Sequence, residues 1–299
     1  TMEINEYGKL VDTNNEMVVA HKTAQLLDKF DLNWIVEKQP LLLPSGNPSG
    51  LYGIVRKDTD NCFTSASEQY EIFQNAELAE LVQAVGYEFG IDAERGGMFN
   101  NGGKVYLQLG MNDKRVGDDV VKRWATAINS HDGSTALKWG STGLTISCSN
   151  SFTAAAKSLN TSVRHYKNMR NAVDESVRAL RGVIDYDETL FDKLQRMASI
   201  KAEKSDIKRV VAKMTSVDLS LSPKDAESKY STRLINQTQD LVTSITKEMS
   251  YKGDTLWGLF SGVTHYTTHK AGREATREVS KMMGSLQRKD QEVLEMFNV

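Results

Sequence analysis

The sequence predicts an α+β fold: a central antiparallel β-sheet with packed helices in the N-terminal half, followed by a helical C-terminal half. Three observations predict it. Apolar and polar residues alternate with period two through 104–149, the signature of half-buried strands. Asp132-Gly133 falls between two such runs, and this pair readily takes the positive φ angles of a hairpin turn. From Arg170 onward the apolar spacing changes to three and four, the helical period.

Taken in order, EMVVAHKTAQLLDKF (16–30) sets Val18, Ala20, Leu26, Leu27 and Phe30 at helical spacing. Two β-like runs follow, NWIVEKQPLLL and SGLYGIVRK, and Pro40, Pro44 and Pro48 cluster around the turn between them. Residues 75–89 read as a helix with Leu78, Leu81, Val82 and Val85 on one stripe. GGMFNNGGK (96–104) ends in lysine but lacks the GxxxxGK[ST] spacing and precedes a strand, so it reads as a flexible hairpin loop. Strands are expected at Lys104–Leu109, Lys122–Asn129, Thr135–Trp139 and Leu144–Ser149. Their buried face would carry Trp124, Ile128, Leu137, Trp139, Leu144 and Ile146. Their open face would show Lys104, Tyr106, Gln108, Arg123, Asn129, Lys138, Thr145 and Ser147. In the C-terminal half, Val173, Val177, Leu180 and Ile184 form a helical stripe. Ser205 caps one helix, and Ser222-Pro223 starts another that runs to about Met249. Gly253 ends that helix, and Asp254 or Thr255 caps the next. The organisation expected is an α+β sheet domain with a basic face over 1–170 and a helical region packed on it over 171–299.

A chain of 299 residues, 39% hydrophobic, buries a core without disulfide or metal staples. Two cysteines, Cys62 and Cys148, make no disulfide framework, and the opening residues lack the apolar core of a signal peptide. No window is apolar for long enough to span a membrane, so the expectation is a protein of the host-cell cytoplasm. The formal net charge of −2 hides a strong asymmetry. Residues 1–100 hold seven basic groups against sixteen acidic, whereas 101–170 hold ten basic against four acidic, and no glutamate occurs between Glu94 and Glu175. A cationic segment of this kind points to an anionic partner.

DLNWIVEKQPLL, SEQYEIFQNAEL, RWATAINSHDGSTALKWGSTGLTISCSN and LWGLFSGVTHYTTHK stand in an order and spacing that resemble a phage- and plasmid-encoded family catalogued as a domain of unknown function, of the DUF932 type. The match runs from about residue 31 to 270. It implies a mobile-element origin and no particular activity. The pattern of a hairpin sheet with a basic face, then a helix, is also similar to the Rad52-like single-strand annealing proteins of phages.

The residues assigned to nucleic-acid contact are Lys104, Tyr106, Lys122, Arg123 and Lys138 on the sheet, with Arg164, Lys167 and Arg170 in the run TSVRHYKNMR. Cations neutralise phosphates and flat rings stack on bases. The bland alternative is a solvated or helix-covered sheet face. Trp124 and Trp139 alternate onto the apolar side and read as core. His265 and His269 lie at i, i+4, yet no third ligand or HExxH glutamate accompanies them, so neither a metal nor a cofactor is expected. Asp92, Glu94, Asp118, Asp119 and Asp132 are the acids from which a catalytic magnesium site would have to assemble.

These residues read best as a non-enzymatic protein that binds single-stranded DNA and anneals strands as a homo-oligomer in phage or plasmid recombination or replication. Two other classes stay open at this point. One is a metal-dependent nuclease. The other is a mobile-element protein that inhibits a host factor through its acidic first hundred residues.

Overall fold

The computed structural model describes residues 2–4, 10–12, 22–135, 137–145, 149–154, 162–163 and 169–299. Strands β1 (Met2–Ile4) and β2 (Leu10–Asp12) form an antiparallel pair, and a helix, α1, covers 22–29. Strands β3 (Val36–Leu42), β4 (Pro48–Arg56) and β5 (Asn61–Ala66) make a three-stranded antiparallel sheet, followed by α2 (Asn75–Phe89). The central sheet is built from β6 (Ala93–Phe99), β7 (Lys104–Val116), β8 (Asp119–Ser130), β9 (Leu137–Thr145) and β10 (Ser151–Ala154), in the order β10-β9-β8-β7-β6. A short strand β11 (Ser162–Val163) also pairs with β9. Thereafter the described chain is helical: α3 (Met169–Ser199), α4 (Lys204–Thr215), α5 (Pro223–Lys229), α6 (Thr232–Lys252), α7 (Leu256–His269), α8 (Glu274–Met283) and α9 (Ser285–Met296). The α+β fold is as the alternation and the later helical spacing predict.

The chain divides into two compact units. One comprises 1–110, 125–140 and 157–183; the other comprises 111–124, 141–156 and 184–299. Strands β7, β8 and β9 and helix α3 each contribute residues to both, so the units interleave along the sequence instead of following one another at residue 170.

In the first unit, α2 buries Leu78, Leu81, Val82 and Val85, the stripe its spacing predicts. Gln74 and Glu77 close a capping box at its start. The Gln74 amide also brackets Val36, accepting from its N–H at 3.0 Å and donating to its carbonyl at 2.7 Å, which ties the helix to β3. Gly86 lets the helix approach the sheet, since a Cβ there would stand 2.9 Å from Leu109 Cδ2. In the second unit, α6 and α7 cross closely at Gly262, where a Cβ would meet Ile245 Cα at 2.3 Å. Around them Leu194, Val210, Leu241, Leu259, Phe260, Val263 and Val293 form one buried cluster.

Several boundaries differ from the sequence reading. The expected strands Thr135–Trp139 and Leu144–Ser149 are joined where they are described, Leu137–Trp139 and Leu144–Thr145 lying in one strand, β9, which carries Gly140 and Gly143 in its interior. Two glycines so close together suggest a break, but ladder pairing with both neighbouring strands keeps them extended. The glycine-rich 96–104 stretch is a tight hairpin, with β6 as one arm and Asn100 and Asn101 at positive φ in the turn. Helix α4 is capped by Glu203 and Asp206, with Glu203 two residues before the expected Ser205. The Ser222 cap holds, but that helix ends at Lys229; Tyr230 turns extended, and Ser231 caps α6 by accepting from Leu234 N. Thr255 caps α7 as expected. On α3 the buried stripe is rotated by about one position from Val173, Val177 and Ile184 to Ala172, Ser176, Val183, Asp187, Leu190 and Leu194.

The largest correction concerns the sheet. Val105 to Leu109 are all buried, as are Arg123 to Ser130, so neither strand keeps an open face there. Polar side chains are accommodated inside by pairing, as Gln108 donates to Thr126 Oγ1 at 2.9 Å and Asn129 donates to the Phe73 carbonyl at 3.0 Å. Alternation reports which side chains are polar, and here interior partners replace water for the amide N–H groups, while Gln108 Oε1 and Asn129 Oδ1 are buried with no hydrogen-bond partner among the described residues. Trp124, Ile128, Leu137 and Trp139 are buried as expected, Leu144 is half-buried, and Ile146, Ser147 and Cys148 lie outside the described residues.

Candidate nucleic-acid interface

Of the eight residues assigned to nucleic-acid contact, the five whose side chains are described separate into three groups. Arg123 and Tyr106 are interior. Arg123 ion-pairs with Asp187 and donates through Nε to the Asn112 carbonyl at 2.7 Å, with its guanidinium 5.1 Å from the Phe191 ring centre. Ser141 Oγ donates to the other Asp187 oxygen at 2.5 Å. Burial pulls the Arg123 pKa below the ordinary arginine value, and Glu188 and Asp113 oppose that fall. The guanidinium stays charged, but its charge is committed to Asp187. Tyr106 stacks on Phe99, ring centres 5.3 Å apart at 20°, and is 8% exposed. Both side chains are buried, which corrects the exposed placement on an open sheet face expected of them.

Lys104 is partly covered. Its Nζ is 3.0 Å from Asp132 Oδ2 and donates to Ser134 Oγ at 2.6 Å. Burial pushes the Asp132 carboxyl up. The Ser134 side chain and N–H, together with Lys104, outweigh it and hold the carboxyl below the usual aspartate value. Asp132 thus serves the turn and the lysine. Beside it His131 bonds Asn75 Oδ1 at 2.9 Å and packs edge-on to Trp34.

Lys122 on β8 and Lys138 on β9 are exposed. Arg115 on β7, which enters the sequence reading only through the net charge, is exposed too. Lys138 has a neighbour that spacing does not reveal: β11 pairs antiparallel with β9 in the register Ser162↔Lys138 and Val163↔Leu137. The described strand stops one residue before Arg164, so the TSVRHYKNMR run begins alongside Lys138. Arg164 and Lys167 lie outside the described residues, and Arg170 is in the first turn of α3.

The acids divide similarly. Asp119 is buried, accepting from Lys252 Nζ at 2.5 Å and Trp257 Nε1 at 2.8 Å. Asp92, Glu94 and Asp118 are exposed. Among the described residues, no group of three or more His, Cys, Asp or Glu gathers as a metal site. His265 is buried with Nδ1 3.1 Å from Ser244 Oγ, and its ring is 4.9 Å from that of His269. Burial first, then His269, Lys247 and Lys270, push its pKa from 6.5 down to about 4. The folded state therefore resists a proton that the unfolded state accepts, so this contribution to stability is complete above about pH 6.5 and is lost as pH falls toward 4. His265→Gln is expected to flatten the decline of denaturant midpoint between those values. An unchanged pH profile would contradict the assignment.

The family described as "Domain of unknown function (DUF932)" matches residues 63–292. No curated protein and no solved structure matches the chain.

Proposed function

The chain belongs to the DUF932 family, a domain of unknown function, and from the geometry we propose that it binds single-stranded DNA along the β9–β11 edge. The observation that carries this reading is the Ser162↔Lys138 register, which joins the two cationic elements of the glutamate-free segment. Exposed Lys138 supplies a cation for a phosphate at this edge, and the sequence that continues from β11 is basic and includes Tyr166, a flat side chain suited to stacking on a base. Bound in this way along its backbone, a strand keeps its base edges free, and annealing of complementary strands in mobile-element recombination or replication is the use that fits. Lys104, Tyr106 and Arg123 are not part of this edge.

The test is a salt titration with labelled single-stranded and double-stranded DNA. Affinity for the single strand should fall with salt at a log–log slope of about −0.7 per neutralised phosphate. Lys138→Ala together with Lys167→Ala should weaken binding and flatten that slope by roughly one to two units, because every phosphate left without its cation takes about 0.7 from the slope. Affinity no greater than that of a neutral control protein at low salt would sink the reading.

A further inference from the structure

The described residues hold one concentrated apolar patch, on the β3–β4 hairpin. Leu42 is 61% exposed, Leu43 50% and Leu51 46%, and Pro40, Pro44 and Pro48 around them are exposed. The antiparallel register brings them together, with Pro40 opposite Tyr52 and Leu42 opposite Pro48. Residues 39–55 carry no charged side chain. A hairpin tip of this composition loses free energy to water at every leucine, and such patches mark contact surfaces.

We propose that this tip is a self-association surface, at which the hairpins of two copies of the chain pack against each other across a two-fold axis. Charge selects the occupant. Residues 22–100 hold twelve acidic groups against six basic, and the uncharged span 39–55 offers no cation, so the tip has nothing with which to hold a nucleic acid or an anionic lipid surface. The tip itself is neutral, and a second copy of it meets no like charge. An isologous contact asks only that one patch complement itself. The leucines and prolines together offer on the order of 400 Å² per copy, about half of the ~800 Å² per partner in a standard interface, and the flanking strand residues supply the rest. The mode is side-chain packing. Pro40 has no N–H to donate, and a register shift between Pro40 and Leu42 interrupts β3, so this edge is a poor template for strand addition.

Light scattering of the full chain, over a range of concentration and at low and high salt, tests this. The expected result is a dimer that persists at about 1 M salt, because apolar packing is not screened. Leu42→Lys with Leu51→Lys should halve the mass while leaving circular dichroism and the thermal midpoint unchanged. Leu42→Met with Leu51→Met should keep the dimer. A wild-type chain that stays monomeric at about 100 µM overturns the proposal, given the micromolar-or-tighter affinities common for interfaces of this size. So does a dimer that the lysine pair leaves intact. A monomer that co-sediments with phosphatidylcholine vesicles, or whose single-strand affinity falls in the lysine variant, overturns it too and reassigns the tip to lipid or to nucleic acid. A dimer that forms as expected but binds no DNA would refute the β9–β11 reading alone.

Discussion

Lys281→Met is expected to lower the free energy of unfolding by about 3–5 kcal/mol, the usual cost of stranding one member of a buried ion pair. Lys281 is 4% exposed and Asp290 2%. The ammonium group bonds Asp290 and donates to Thr267 Oγ1 at 2.8 Å, while Thr267 donates to the other Asp290 oxygen at 2.8 Å. Burial drives the lysine pKa down and the aspartate pKa up, and their mutual attraction opposes both shifts. Removing the lysine leaves a carboxylate with only a hydroxyl partner in the core. Lys281→Met with Asp290→Leu should recover most of the loss, because an apolar pair of similar volume needs no compensation. Urea denaturation measures both variants. A single variant within about 1 kcal/mol of wild type would show that water reaches Asp290.

A second large effect is expected within one dipeptide. Arg123→Ala should cost about 3–5 kcal/mol, since Asp187 is then buried against Ser141 alone. Lys122→Ala, one residue earlier and exposed, should stay within about 0.5 kcal/mol. Single-strand affinity, measured where both variants are folded, should change little for Arg123→Ala. If Arg123→Ala instead keeps its stability and loses DNA affinity, Arg123 belongs to a binding face after all.

Arg123 also shows where sequence reasoning runs out. Its strand, the antiparallel sheet, the α2 stripe and the helical half are all visible in local spacing, because period and cap chemistry act within a few residues. The partner of Arg123 is Asp187, 64 residues away on a helix whose buried stripe must be rotated by one position to hold it. A charged residue at a seam position breaks the apolar pattern, so spacing alone gives no reason to place Asp187 in the core. An acid inside the α3 seam and an arginine inside the β8 alternation are together the available signal. The pairing of β11 with β9 is equally hidden, since two residues, Ser162 and Val163, show no alternation. Lys138 is legible as a cation, but its neighbour is not.

The interleaving of the two units bears on how the protein is made. The chain passes between them five times, and the first unit needs residues up to Val183. A ribosome that has delivered the first 170 residues has therefore not delivered a finished unit, and the second still lacks 184–299. Nascent β7 and β8 must wait, with their apolar side chains unburied, for sequence far downstream. Non-local pairing of this kind slows folding. A fragment cut at residue 170 holds neither unit whole and is therefore expected to sediment as aggregate on expression, where the full chain stays in the supernatant.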